Sequence, residues 1–583
     1  MDALTYQNRR TLPIGVQSFE KIRDNGCVYV DKTAYIYELL RTPAPYFLSR
    51  PRRFGKSLLV STMKAYFEGR KDLFEGLAIT ELTKNDPDPF AEYPVFHFDF
   101  NGADYSTLKD VPDEDEARIS SVLYGIDAEA IDAESDDIRD IIDRIQFRSR
   151  EGSSLPILPL EQVLDEHLRN WEDIYGSDPR NRTLSSRFRY LIRTSVERTG
   201  RKAVVLVDEY DKALLEEKPG LDDLNRLVYK AFFGVLKSYD EYLKFVFITG
   251  VTKYSKVSIF SDLNQLIDIS LDKWYANICG VTESEMKDNF APEIEALAEA
   301  QDMTVDECLT ELKRMYDGYH FYQNTEGLYN PFSLLNAFYK QEFDSKWFES
   351  GTPTFLIKKL EKTGFDPKRI TEGNLEESRD GLSDYRSDDD NPVPLLFQTG
   401  YLTIRDYDKE FRSYKLGYPN DEVRYGFLKS LIPMIFHRLE DSSINPLDVR
   451  EFVNDIRCGD TVGVRERFTA LYASLPYPSC EPDKLDQYVE RDFQNVVYIT
   501  FMLLGQYVKA EVHNAVGRAD VIVETTDYVW IFEFKRDKSA KEALAQIDDK
   551  SYALPYAADR RTILKIGVNF SSETRNIDGW IVG

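Results

Sequence analysis

Cysteine is scarce in this chain: five in 583 residues (Cys27, Cys279, Cys308, Cys458 and Cys480), far apart and never spaced as CxxC. An odd, sparse set excludes a disulfide framework and a structural zinc site, and leaves ordinary semi-buried thiols. Long apolar runs are missing too. No stretch approaches the roughly 18 uninterrupted apolar residues of a membrane helix, and the opening MDALTYQNRRTLPIG has no apolar signal core. The expectation is a soluble, cytoplasmic protein that does not associate with membranes. Internal repeats and long low-complexity tracts are absent as well. What is present is a composition of 42% hydrophobic, 13% aromatic and 30% charged residues, apolar enough to bury real cores. The length suits three or four domains of roughly 100 to 200 residues each.

The formal net charge is −27, which taken whole disfavours nucleic acid as a partner. Its distribution says otherwise. Residues 1–70 hold 12 basic and 6 acidic side chains, residues 104–145 hold 14 acidic and 4 basic, and residues 484–583 hold 13 basic and 15 acidic. Global acidity is therefore uninformative about either end.

Three blocks are expected. The first, 1–280, alternates short β-rich apolar runs with helical patterns: PYFLS (45–49), VFHFDF (95–100), AVVLVD (203–208) and FVFITG (245–250) read as buried parallel strands of an α/β domain. An acidic insertion at about 104–145 interrupts it, read as a solvated helical excursion. The second, 281–450, is mixed, mainly helical and aromatic, and contains YDGYHF, NPFSLLNAF and LLFQTGYLTI. Its polar run Glu372 to Asn391 reads as an exposed loop, and composition gives the block no chemistry. The third, 451–583, has a core that runs helix, three strands (YVKAEV, ADVIVE, YVWIFEF), helix and a last strand, TILKIGV.

In block one, PYFLSRPRRFGKSLLVSTMKAYF reads as strand, turn and helix. A phosphate-binding loop needs backbone N–H groups curled around an anion, a lysine for the outer phosphates, a hydroxyl on Mg²⁺ and a helix N-terminus. Gly55, Lys56 and Ser57 supply the end of that device, although Arg50 stands where its first glycine would be. The strand Ala203–Val207 ends in Asp208 and Glu209, the acidic pair of a Walker B strand: Asp208 for the hydrated metal, Glu209 for the attacking water. Arg50, Arg52 and Arg53 crowd the loop with positive charge, able to steer nucleotide or to act as an arginine finger in cis, or else to pair with the acidic surface. Thr249 and Thr252, followed by Lys253, sit where a γ-phosphate sensor would lie.

These residues carry a resemblance. RPRRFGKS (Arg50–Ser57), with VYVDKT, HFDFNGADYS, LVDEYDKAL and ITGVTKYSKVSIFSDLNQL, resembles the AAA-ATPase-like family of bacterial P-loop proteins, of the additional-strand, catalytic-glutamate (ASCE) type. YDGYHF and NPFSLL resemble the segment C-terminal to the ATPase core in that family. The resemblance implies that Arg50 belongs to the motif, that ATP and Mg²⁺ are the ligands, and that Arg50, Arg52, Arg53, Phe54, Gly55, Lys56, Ser57, Leu58, Asp208 and Thr249 form the nucleotide site, with Ser57 and Asp208 on the metal and Glu209 catalytic. Asp31 and Lys32 of VYVDKT are placed near the nucleotide without a role.

In block three, period-two alternation along Tyr528–Phe534 puts Trp530, Phe532 and Phe534 on one face and Val529, Ile531, Glu533 and Lys535 on the other. Counting back across the turn Thr525–Asp527 brings Asp520 level with Glu533, within about a residue. Two carboxylates so close repel unless a divalent cation holds them, and oxygen ligation suits Mg²⁺ or Mn²⁺. Such a cation polarises a phosphodiester and activates water, with Lys535 beside it. This pattern, GRAD, twelve residues, then EFK, resembles the PD-(D/E)XK nuclease superfamily, restriction-endonuclease-like α/β domains, in the branch fused to this kind of ATPase. The resemblance implies Asp520, Glu533 and Glu490 as metal ligands, Lys535 as the catalytic lysine, Gln546 as a catalytic or orienting residue and Tyr552 as the end of a QIxxKxY-like pattern. The expected function is an ATP-binding and ATP-hydrolysing protein coupled to a Mg²⁺- or Mn²⁺-dependent nuclease, on DNA before RNA, in mobile-element or phage-defence biology. The alternative is a nucleotide-dependent switch or scaffold whose nuclease-like domain binds without cutting, and assembly into a homo-oligomer stays open.

Overall fold

The computed structural model describes residues 10–105, 109–110, 156–214, 221–254, 265–349, 390–435, 449–473, 485–505, 509–512 and 520–583, with short stretches between 356 and 383. The chain divides into two compact units: Met1–Lys359 with Leu375–Asn420, and Leu360–Asn374 with Asp421–Gly583. Among the described residues no helix is long and apolar enough to cross a membrane. Most of the acidic insertion at 104–145 lies outside the described residues.

The first unit is built on five parallel strands, β1 (Pro45–Ser49), β2 (Val95–Asp99), β3 (Ala203–Asp208), β4 (Leu243–Gly250) and the short β5 (Ile267–Asp268), in the order β2-β3-β4-β1-β5. Strands β1 and β3 are buried along their whole length, which is why their sequences are unbroken apolar runs rather than alternating ones. The order sets β4 between the strand that feeds the glycine loop and the strand that ends in Asp208. Helices α1 (Lys56–Phe67), α2 (Pro159–Tyr175), α3 (Leu184–Thr199) and α4 (Leu221–Ser238) make the crossovers. After the sheet, α5 (Glu283–Ala300), α6 (Val305–Tyr316) and α7 (Pro331–Lys340) share a core of Met286, Phe290, Leu312, Tyr316, Leu334 and Phe338, against which Val28 and Val30 of the N-terminal segment pack. Capping boxes at Thr282/Glu285 and Thr304/Glu307 start α5 and α6.

The polar run 372–391 departs from the loop expected of it. Its Glu376–Ser378 is a strand, β6, paired antiparallel with β8 (Ser413–Gly417), which also pairs with β7 (Thr403–Asp408); Arg379–Ser383 is helical. Two leucines within the run, Leu375 and Leu382, are fully buried and anchor its described part, in which Glu376, Arg379 and Asp380 are exposed; residues 372–374 and 384–389 lie outside the described residues.

The second unit carries α9 (Leu485–Leu504), following α8 (Asp421–Ile435), and a mixed five-stranded sheet in sequential order: β9 (Lys509–Val512), β10 (Val521–Glu524), β11 (Tyr528–Arg536), β12 (Thr562–Ser571) and β13 (Asn576–Val582). Only β11 and β12 run parallel, joined through α10 (Ala540–Asp549). The alternation read from β11 is realised. Trp530, Phe532 and Phe534 stack in a row, with Phe532 against Phe501 and Phe534 against Phe493 of α9, while Val529 and Ile531 pack on Ile547 and Tyr552. At Gly567 of β12 a Cβ would lie 2.3 Å from the Ala540 carbonyl oxygen, so α10 approaches the sheet only because that side chain is missing. Strand β13 lies beyond TILKIGV, the run expected to be last.

Candidate functional site

The phosphate-type loop joins β1 to α1. Gly55 closes it with φ 94° and ψ 16°, a left-handed conformation that glycine adopts without strain, and stands at the N-cap of α1 with no side chain capping the helix. The first N–H groups of a 12-residue helix therefore face the loop's concavity. Lys56 is buried and its Nζ donates to the carbonyls of Arg50 (2.9 Å) and Pro51 (3.1 Å), so the cation folds back over the loop. Ser57 and Leu58 are half-buried in the first turn.

The register fixes the acidic side of the site. Leu48 of β1 pairs with Thr249 of β4, and Val207 of β3 with Ile248, which puts Thr249 between the loop strand and Asp208. Thr249 Oγ1 donates to Asp208 Oδ1 at 2.8 Å. Burial raises the Asp208 carboxyl above its usual range; the Ser57 and Thr249 hydroxyls and the Lys56 charge oppose the rise. Glu209 comes next with φ 50°, a left-handed backbone that a glutamate adopts only under constraint, and among the described residues its carboxylate meets no hydrogen-bond donor or cation.

The constraint has a visible source in a residue to which the sequence patterns assign no role. Asp211, within LVDEYDKAL, is buried and accepts from the amides of Val251 (3.1 Å) and Thr252 (2.6 Å) and from Thr252 Oγ1 (2.7 Å). Tyr210 adds a hydroxyl donated to the Thr252 carbonyl at 2.9 Å. The segments after β3 and β4 are thus latched together, and Thr252 is spent on that latch. Lys253 pairs through Nζ with Asp268 at 2.9 Å, and its amide donates to Gln398 Oε1 at 2.9 Å. An acidic residue two positions beyond the DE pair is the sequence signal for the latch.

Arg50 is a correction. Rather than facing the loop's concavity, its guanidinium is buried and donates to the carbonyls of Ser49 (2.9 Å), Ser270 (2.8 Å) and Tyr275 (2.9 Å), lying 4.0 Å from the Phe321 ring centroid. Burial lowers its pKa to about 10. Its two terminal nitrogens are committed to main chain while its Nε is buried without a partner, so it braces the end of β1, and its carbonyl accepts from Lys56. Phe54 is likewise a brace, buried edge-on against Tyr319 and Phe321. Arg52 is half-buried and Arg53 exposed, the latter over the Phe332 ring at 4.7 Å; among the described residues neither forms an ion pair. Of VYVDKT, Asp31 accepts from the Thr33 amide and hydroxyl and from the Ala78 amide, and Lys32 Nζ donates to the Asn277 carbonyl (2.9 Å) and to both oxygens of Glu285 (2.7 Å).

The second site lies on the central strands of the C-terminal sheet. Val521 pairs with Phe532, so Asp520, one residue earlier, stands level with Glu533, and Asp520 Oδ2 accepts from the Phe534 amide at 2.8 Å. Glu533 is 1% exposed. Its Oε1 accepts from Lys535 Nζ at 2.8 Å and from Gln546 Nε2, which α10 carries over the sheet and Tyr552 OH accompanies at 3.4 Å. Its Oε2 is buried without a partner. Burial, and then the Glu533 charge, push the Asp520 carboxyl up to about 6. Two converging carboxylates, one with an orphaned buried oxygen, fit a hard divalent cation bound through oxygen. Among the described residues no group of three His, Cys, Asp or Glu could hold a metal, and the Glu490 side chain, on α9, lies outside the described residues. Asp520, Glu533, Lys535, Gln546 and Tyr552 are brought together.

Comparison with known proteins matches a family to each of the two regions. A family model described as predicted AAA-ATPase matches residues 13–148 and 131–260, and one described as PD-(D/E)XK nuclease superfamily matches 488–580. An uncharacterised protein in the vnfD 5' region of Azotobacter chroococcum mcd 1 is 33% identical over 586 residues, covering 99% of each chain. No solved structure matches. The chain belongs to the predicted AAA-ATPase family, in a form that joins the ATPase-like region to a C-terminal domain of the PD-(D/E)XK nuclease superfamily.

Proposed function

We propose that this protein binds and hydrolyses ATP with its first unit and cleaves nucleic acid, DNA before RNA, with its second, in a reaction that needs Mg²⁺ or Mn²⁺. The observation that carries the reading is Glu533: a glutamate only 1% exposed, level with Asp520, holding Lys535 and Gln546 on one carboxylate oxygen and nothing on the other. A polar atom buried without a partner costs on the order of 1–3 kcal/mol, a strain that the arrangement of a functional site explains.

Asp520 and Glu533 are the residues to hold the cation, which supplies positive charge against the scissile phosphate and lowers the pKa of its water. The chain's own groups do the rest. Lys535, held 2.8 Å from Glu533, keeps an ammonium at the site and stabilises the negative charge that develops on the phosphate. Gln546 orients the Glu533 carboxylate, and Tyr552 orients Gln546. In the first unit the α1 N-terminus and Lys56 take the triphosphate, Ser57 and Asp208 take its Mg²⁺, and Glu209 orients the attacking water.

The test is incubation of the full chain with single- and double-stranded DNA and RNA, with and without Mn²⁺ and ATP. Metal-dependent cleavage that falls at least about 1,000-fold in Glu533→Gln and Lys535→Ala is the expected result. Undiminished cleavage in both variants places the reaction elsewhere. The near balance of charge over 484–583 favours one other reading, a domain that binds without cutting, and metal-independent binding with no cleavage of any substrate would select it.

A further inference from the structure

The run LLFQTGYLTI (395–404), whose composition carries no chemistry, lies against the phosphate-type loop. Its glycine makes the closest approach. Gly400 has φ 91°, and a Cβ there would stand 2.7 Å from Pro51 Cβ and 2.8 Å from Pro51 Cγ, so no other residue fits without moving the loop. Pro51 is a residue whose carbonyl holds Lys56 Nζ, at 3.1 Å. One position on, Tyr401 packs on Trp347 with ring centroids 5.2 Å apart, and Trp347 Nε1 donates to the Arg52 carbonyl at 3.3 Å. Two positions back, Gln398 is buried and serves the other side of the site. Its Oε1 accepts from the Lys253 amide at 2.9 Å, while Nε2 donates to the carbonyls of Leu382 (2.8 Å) and Ser383 (2.9 Å). Lys253 directly follows Thr252, which Asp211 holds, in the segment that begins with Thr249, the donor to Asp208.

We propose that Gln398 and Gly400 are positioning residues for ATP hydrolysis, setting the phosphate loop and the segment after β4 at a fixed spacing; the inference rests on the nucleotide-binding reading above and adds to it the residues that keep its two halves in register. Each acts through a different partner, so their effects separate. Gly400 works through Pro51, on the loop that receives the triphosphate, and disturbing it alters binding. Gln398 works through the Lys253 amide, on the segment that aims Asp208, and a misaimed metal ligand costs rate before it costs affinity. The Gln398 amide cannot turn over: with Nε2 on two carbonyls, only Oε1 is left to face the Lys253 N–H.

The experiment measures the affinity of the full chain for Mg²⁺·ATP by calorimetry and its steady-state ATP hydrolysis, with melting curves to give the folded fraction at the assay temperature. Gln398→Met keeps the length of the side chain and removes its hydrogen bonds; kcat is expected to fall at least about fivefold, with Kd for ATP within about twofold of wild type. Gly400→Ala drives a methyl into Pro51 and is expected to weaken ATP at least about tenfold. That loss should shrink to within about threefold when Gly400→Ala is introduced into a Pro51→Gly chain, which lacks the ring the methyl strikes. Wild-type Kd and kcat in both Gln398→Met and Gly400→Ala overturn the proposal, as do losses that only follow the folded fraction. Lys56→Ala separates the two levels of inference. If it binds and hydrolyses ATP as wild type does, the phosphate reading fails and takes this one with it; a Lys56→Ala defect beside unaffected Gln398→Met and Gly400→Ala variants removes the positioning roles alone.

Discussion

The two candidate sites are both assembled at the ends of buried strands and both gather carboxylates beside a lysine, yet their polar accounting differs. At the glycine loop the groups around the lysine are partnered within the chain, Lys56 on two loop carbonyls, Asp208 on Thr249 and Asp211 on two amides and a hydroxyl, while the Glu209 carboxylate and the Nε of Arg50 are left without a partner among the described residues. At the C-terminal site Glu533 keeps an oxygen buried and unpaired beside an Asp520 whose carboxyl sits near 6. The first is a closed arrangement that a ligand must open by exchanging internal bonds for its own. The second is strained first by the burial of Asp520 and then by the Glu533 charge, and is relieved by a cation. Self-satisfied sites tolerate loss of a ligand, whereas strained ones lose stability to keep their geometry.

The largest effect that would break this contrast is at Asp520. Asp520→Asn removes a repelling charge and keeps the shape, so cleavage is expected to drop at least about 1,000-fold while the metal-free protein becomes more stable at pH 7 by on the order of 2 kcal/mol. Linkage sets the sign. The folded carboxyl sits at about 6 against an ordinary 3.8, so its contribution is fully present below pH 3.8 and is lost as pH rises through 6. With chelator, the gap in melting temperature between wild type and variant should be narrower at pH 4.5 than at pH 7.5. A wild type that is as stable as the variant at pH 7.5 means that neither burial nor the Glu533 charge strains the ionised Asp520.

Next in size is Arg50. Its guanidinium is committed to main-chain carbonyls 220 and 225 residues away as well as to Ser49. Arg50→Met removes the guanidinium donors from those carbonyls, although that of Tyr275 keeps the Ile278 amide, at an expected cost of about 3 kcal/mol in denaturant unfolding of the first unit. Were Arg50 a phosphate ligand, the variant would instead keep its stability and lose only ATP affinity. Lys56→Ala is the reverse case: ATP affinity is expected to fall roughly 10- to 100-fold, the value of one charge-assisted contact, with stability lowered by less than Arg50→Met lowers it.

How much of the fold and of the two sites is legible in the sequence depends on the range of the interaction. The four long strands of the first sheet and the hairpin that sets Asp520 opposite Glu533 are local patterns, apolar runs in one case and period-two alternation across a three-residue turn in the other. Gln546 is legible only through the resemblance, and it reaches Glu533 because α10 crosses over the strand it succeeds. Arg50 misleads in sequence because its partners lie on a segment more than 200 residues away, and it looks there like one of three loop arginines. Strand β13 is equally hidden: NIDGWIV carries Asn, Asp and Gly, poor strand formers, and exists by pairing with β12 at the edge of the sheet. The strand Glu376–Ser378 is concealed for the same reason, three polar residues held by a ladder to Ser413–Lys415.

The smallest predicted effect is also the most specific to the closed site. Thr249 is fully buried and gives its hydroxyl to Asp208 Oδ1, while burial pushes that carboxyl toward its protonated form. Thr249→Val conserves shape and removes the donor, so Asp208 should become harder to ionise and less well aimed. The expected cost is about 1 kcal/mol in stability and about fivefold in ATP turnover, with KM for ATP little changed because the phosphates still rest on the loop. Raising the pH should recover part of the lost turnover, since it restores the carboxylate, and a Thr249→Ser variant should recover most of it at any pH. A variant that loses affinity and turnover together, with no recovery at higher pH, would mean that Thr249 touches the nucleotide directly instead of acting through Asp208.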